Sequence, residues 1–131
     1  MLTDKNNENK TKKLPTISVI LPVFNSAEYL SEAIQSIINQ TYSNFELIIV
    51  YDESHDISMS IIQKYSVNDA RIKIVYGKNS GLAEALNLGL DRSVGEFVAR
   101  MDSDDISHPG RFAAQLAHMR NASLDICGCH W

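Results

Sequence analysis

Residues 99–112 read ARMDSDDISHPGRF and place Asp102, Asp104 and Asp105 within four positions, directly behind the apolar run FVARM. Carboxylates held this close repel one another unless they share a cation. Oxygen-only ligands select a hard divalent ion, Mg2+ or Mn2+. A pair of carboxylates leaves most of such an ion's coordination shell to waters or ligand phosphates. An ion bridging a diphosphate would neutralise charge that develops on a departing phosphate, an effect of several kcal/mol. The plain alternative is a solvated acidic loop, because D-x-D alone occurs often by chance. Where the aspartates fall in the fold separates the two readings.

Short apolar runs alternate with helical periodicity along the chain. ISVILPV (17–23), FELIIVY (45–51), IKIVY (72–76) and EFVARM (96–101) read as strands, the first two fully buried. Between them, Leu30, Ala33, Ile34, Ile37 and Ile38 recur at helical spacing, as do Ile57, Ile61, Ile62 and Tyr65. Leu82, Ala85, Leu86 and Leu90 mark a third helix beginning near Asn79 and Ser80. Phe112, Leu116 and Met119 mark a fourth, with Pro109 in its first turn. LDICGCHW predicts a fifth strand carrying reduced cysteines. It is preferred to a metal cluster of Cys127, Cys129 and His130, since three ligands on one alternating strand would not face one ion. The pattern predicts an α/β fold with a mostly parallel, Rossmann-like sheet and helices on both faces.

In such sheets ligands bind beyond the carboxyl ends of the strands. That edge collects Pro22, Val23, Phe24 and Asn25 after the first strand and Asp52, Glu53 and Asp56 after the second. It collects Gly77, Lys78, Asn79 and Gly81 after the third, and the aspartates after the fourth. The aspartates' position therefore favours a metal ion carrying a nucleotide diphosphate. Neither G-x-G-x-x-G nor G-x-x-x-x-G-K-[ST] is present, so dinucleotide and P-loop readings lack their phosphate loops. A receiver domain wants acids after its first strand, where Phe24 and Asn25 stand, and an aspartate-nucleophile phosphatase wants its D-x-D there.

The chain has 131 residues, net charge −4 and 44% hydrophobic residues, which suits one globular domain and gives no sign of nucleic-acid binding. Residues 1–14 read as a disordered polar head. Lys5, Lys10, Lys12 and Lys13 offer a peripheral contact with anionic lipid that Asp4 and Glu8 dilute. No run reaches the length of a transmembrane helix and no signal peptide opens the chain. The expected location is the cytoplasm, with the inner face of the membrane as its extension.

ISVILPVFN, SIINQTYSNFELIIV, NSGLAEALNLGL and GEFVARMDSDDISHPGRF, in this order, resemble the nucleotide-binding half of family 2 glycosyltransferases, the GT-A fold. The resemblance runs from about residue 17 to the end, and ARMDSDDIS is especially similar to bacterial members that build surface polysaccharides. It implies an inverting, metal-dependent transfer of a sugar from a nucleotide diphosphate donor, typically a UDP-sugar, to a saccharide or lipid-linked acceptor. It implies that Asp52 holds the base, with Pro22, Val23, Phe24 and Asn25 beside it and Asn79 and Gly81 near the nucleotide-sugar. Asp102, Ser103 and Asp104 would meet ribose, metal and diphosphate, with Asp105 adjacent in the metal site. Arg100 would pair with one of these acids; a surface or buried salt bridge is its plain alternative.

Departures are visible. Tyr51, Asp52, Glu53 and Ser54 replace the usual Asp-Asp-Gly-Ser, Phe24 stands for a commoner tyrosine, and Ser80 for a frequent arginine. The resemblance further implies that residues 15–131 are a nucleotide-sugar-binding domain ending before the acceptor half, with the general base downstream of residue 131. His55, His108, His118 and His130 read as loop or surface histidines rather than as that base. A chain ending within a strand is expected to self-associate. Two alternatives remain: a non-catalytic nucleotide-sugar-binding lobe, and a sugar-nucleotide pyrophosphorylase. The latter's glycine-rich, arginine-containing loop would stand where this chain reads PVFNSAEYL.

Overall fold

The computed structural model describes residues 13–129. The polar head read as a lipid contact lies almost wholly outside them. Four strands, β1 (Ile17–Val23), β2 (Phe45–Tyr51), β3 (Ile72–Tyr76) and β4 (Phe97–Arg100), alternate with four helices, α1 (Ala27–Ile38), α2 (Ser58–Ser66), α3 (Leu82–Arg92) and α4 (Arg111–Ala122). All strand pairs are parallel, in the order β3-β2-β1-β4. Ile17 pairs with both Phe45 and Phe97, and Leu47 with Ile72. The expected parallel α/β architecture is what forms.

The central strands β1 and β2 are buried on both faces, so they read as continuous apolar runs. On one face Leu30, Ala33, Ile34 and Ile37 of α1, Ile62 of α2 and Phe112 of α4 close over Val19, Leu21, Leu47 and Ile49. Each fully buried Ile or Leu contributes roughly 1.5–3 kcal/mol. On the other face α3 alone packs against Ile20, Ile48 and Val50. It comes close enough that a Cβ on Gly89 would lie 2.5 Å from Ile20 Cγ2. Because Ala85 and Gly89 make this contact, Leu82 and Leu90 are left exposed, contrary to the apolar face their spacing suggests. Ile57 is likewise exposed, since α2 buries only Ser58 and Ile62.

At the amino end of the sheet, Glu46 is buried and accepts hydrogen bonds from Ser18 Oγ, Lys73 Nζ and the Val94 amide. Burial pushes its carboxyl up, but the three donors outweigh this and hold it below the usual carboxylate range.

Boundaries differ from the sequence expectation at several places; β4 is one residue shorter at each end than EFVARM. Helix α3 starts at Leu82 rather than near Asn79, because Asn79 (φ 53°) and Gly81 (φ 92°) adopt left-handed backbone that no helix accommodates. Helix α4 starts at Arg111, because Pro109 and Gly110 form a turn in which the Arg111 amide bonds to the His108 carbonyl. Residues 124–129 form no strand. Residues 125–129 line a groove with Phe97 and Leu116, and Cys127 Sγ faces the Gln115 carbonyl of α4 at 4.0 Å. Although the groove also borders the edge strand β4, the segment makes no ladder with it. Cys127 and Cys129 are free thiols.

Candidate functional site

The strand order reverses between β1 and β4, because β2 and β3 extend the sheet to one side of β1 and β4 to the other. The loops leaving β1 and β4 therefore part at the carboxyl edge and open a crevice between them. A cavity of about 450 Å³ lies there. Pro22 and Val23 line it from the end of β1 and Phe24 from the loop behind it, Asp52 from the second loop, Asn79 and Gly81 from the third, Arg100 from the end of β4, and Asp102 and Ser103 from the fourth loop. Of the expected non-metal residues, only Asn25 does not line the cavity.

The chain leaves β2 with Asp52 N–H donating to the Val23 carbonyl at 2.9 Å, which continues the β1–β2 ladder into the loops. Asp52 is buried, and its Oδ1 accepts the Asn79 amide at 3.1 Å. This contact requires Gly77, where an added Cβ would lie 1.9 Å from Asp52 Oδ1. The third loop is thus wrapped around a carboxylate from the second.

Asn25 braces the rim from behind. With left-handed backbone (φ 46°), it donates its amide to Ser54 Oγ at 3.0 Å and accepts the His55 amide on Oδ1 at 2.9 Å. Asp56 joins two helix starts, accepting from Ala27 N at 3.0 Å and Ser58 N at 2.9 Å. Bonding from Ser58, then from the Ala27 amide, holds its carboxyl below the usual range. His55 and His108 are exposed loop residues and His118 an exposed helical one.

Across the crevice, Ser26 Oγ and Ser103 Oγ are hydrogen-bonded at 2.6 Å. Ser26, Leu82 and Ala85 line the cavity but were not singled out from the sequence. Ser26 is an ordinary turn residue in PVFNS, and Leu82 and Ala85 were absorbed into the helical pattern.

Arg100 Nη2 donates to Asp102 Oδ1 at 3.0 Å, a pair half open to solvent on the cavity rim. Such exposed pairs are worth only about 0–1 kcal/mol. Asp104 and Asp105 lie outside the cavity lining and are exposed. Among the described residues, no three His, Cys, Asp or Glu side chains converge to hold a metal ion. Asp102 lines the cavity, with Asp104 and Asp105 beside it on the same exposed turn. The Asp105 amide bonds to the Asp102 carbonyl at 3.2 Å, closing a tight turn.

The model of the family described as glycosyl transferase family 2 matches residues 18–131. The chain belongs to that family. This family 2 domain is 46% identical over 96 residues to an uncharacterized glycosyltransferase of Haemophilus influenzae, covering 72% of this chain and 30% of the relative. A structure of S. aureus TarS in complex with UDP superimposes with a TM-score of 0.76 at 27% identity, over 88% of this chain and 38% of that one. Glucosyl-3-phosphoglycerate synthase of Mycobacterium tuberculosis, with Mn2+, UDP and phosphoglyceric acid, superimposes with a TM-score of 0.65 at 27% identity, over 81% of this chain and 39% of that one. The family 2 domain thus spans about a third of the length of these proteins. Among the described residues no helix is long and apolar enough to cross a membrane.

The donor chemistry of the aspartate loop is that of a site for a hard divalent cation. Its polar side chains offer oxygen alone, and the Arg100 bonds engage only Oδ1 of Asp102.

Proposed function

We propose that this chain is the donor-binding part of an inverting, metal-dependent glycosyltransferase that takes a sugar from a UDP-sugar to a saccharide or lipid-linked acceptor in polysaccharide assembly. The observation that carries the reading is the convergence of Asp52, Asn79 and Asp102 on one cavity at the strand-order reversal. Asp52, held by the Asn79 amide, presents its carboxylate to the imide edge of uracil, with Phe24 against the base. Asp102 and Ser103 meet the ribose and diphosphate, while Asp102 and Asp104, with Asp105 adjacent, hold Mn2+ or Mg2+. When bound, the cation neutralises negative charge on the departing diphosphate. Arg100 keeps a second positive charge at the same rim. The acceptor and the general base belong to a part of the enzyme beyond these residues.

Calorimetric titration of UDP with Mn2+, repeated in EDTA and with Asp104→Ala, tests the reading. UDP affinity that rises when the cation is added, and a rise that is lost in the variant, are the expected result. Binding of GDP but not UDP would change the donor, and binding of neither would reduce the aspartates to a solvated loop.

A further inference from the structure

Gln40 lies two residues beyond α1, is 5% exposed and does not line the cavity, yet both ends of its amide are engaged. Its Nε2 donates to the His108 carbonyl at 2.7 Å, to Ser107 Oγ at 3.1 Å and to the Ser36 carbonyl at 3.2 Å. Its Oε1 accepts the Phe112 amide at 3.1 Å, one of the free donors in the first turn of α4. Ser107, 4% exposed, adds its own amide to Ser36 Oγ at 2.9 Å. The Thr41 amide donates to the Pro109 carbonyl at 2.9 Å. One buried side chain thus ties the end of α1, the segment after the aspartates and the start of α4 into one unit.

The other end of that segment is fixed where the Met101 amide donates to the Ile20 carbonyl at 3.1 Å, extending the β1–β4 ladder. Between these two anchors, Asp102, Ser103, Asp104, Asp105 and Ile106 are exposed or half-exposed. Their hydrogen bonds are the turn between Asp105 and Asp102, the Ser26–Ser103 bridge and the Arg100 pair. The position of the carboxylates therefore depends on where the two ends are held. A fully satisfied buried polar network specifies one arrangement, whereas apolar packing tolerates several.

We propose that Gln40 is a positioning residue: its buried amide anchors the far end of the aspartate loop and so sets where Asp102 and Asp104 meet the diphosphate and its cation. The inference rests on the donor-binding reading above. It predicts a selective defect, because Asp52 and the base end of the cavity are held by the β2 and β3 loops, which Gln40 does not touch. Partners that orient metal ligands without contacting the metal typically alter metal affinity by about ten- to a hundredfold.

The test is UDP titration of Gln40→Leu and Ser107→Ala with Mn2+ and in EDTA, with the circular dichroism spectrum as the control for folding. The wild-type gain in UDP affinity on adding Mn2+ is expected to shrink about tenfold or more in Gln40→Leu and by a smaller factor in Ser107→Ala, with the affinity in EDTA unchanged. If Gln40→Leu does not fold, Ser107→Ala, which removes one arm of the network, decides alone. Equal losses with and without Mn2+, or no loss in either variant, would overturn the positioning role while leaving the donor site intact. A wild-type chain that binds UDP in neither condition would overturn the donor site, and this inference with it.

Discussion

Gly77 carries no functional group, yet the geometry around Asp52 depends on it. Any larger residue would put its Cβ on the Asp52 carboxylate, 1.9 Å from Oδ1. The carboxylate would rotate away and the Asn79 amide would lose its acceptor. Gly77→Ala is therefore expected to weaken UDP binding by roughly tenfold or more, the cost of losing a hydrogen bond to a charged group (about 1.5–3 kcal/mol). Titrating uridine alongside UDP checks this, since a defect at the base end must appear with both ligands. Unchanged uridine affinity would show that Asp52 does not hold the base. Asp52 was readable from its place behind an apolar strand, but the requirement for a glycine opposite it was not, because the two lie 25 residues apart.

Buried charge decides matters for the elements too. Ser18, Glu46 and Lys73 come from three adjacent strands, and the Val94 amide from the turn before β4. The folded state holds the Glu46 carboxyl below its ordinary range, so its contribution is complete above the unfolded value (about 4.3) and is lost as pH falls through the lower folded value. Glu46→Gln is expected to lower stability near neutral pH by about 2 kcal/mol. It should also flatten the loss of stability on acidification. Urea unfolding at about pH 7 and about pH 3.5 measures both effects, and an equally steep acid dependence in the variant would dismiss Glu46 as its source. Nothing in FELIIVY announces this network, since a lone acid in an apolar strand is interpretable only once its neighbours across the sheet are known. The predicted fifth strand failed for a related reason. LDICGCHW has strand-like composition, but residues 124–129 form no strand, and residues 125–129 line a groove between β4 and α4 without joining the sheet.

For the whole molecule, the cavity joins all four strand-to-helix loops, so a ligand filling it should oppose global unfolding. UDP with Mn2+ at about a hundred times its dissociation constant is expected to add about 2.7 kcal/mol, a rise of order 10 °C in melting temperature for a domain of this size. A thermal melt with and without the pair measures it. Stabilisation by Mn2+ alone as large as with UDP would instead indicate a cation site independent of the nucleotide. At this scale the crevice follows from chain order: β4 returns to the free side of β1, and Ser26 and Ser103 meet across the resulting gap.

The amino-acid sequence by itself determined the alternation of strands and helices, the parallel sheet and the edge at which the loops gather. Hydrophobic periodicity is a local property, and each strand's carboxyl end is marked by the polar residues that follow it. Tertiary structure decided which of those residues share a cavity, that Asp104 and Asp105 stand outside its lining, and that Ser26 and Gln40 matter to the loop carrying them. Those outcomes depend on contacts between residues up to 77 positions apart. Such contacts exist only once strand order and helix packing have brought the loops together.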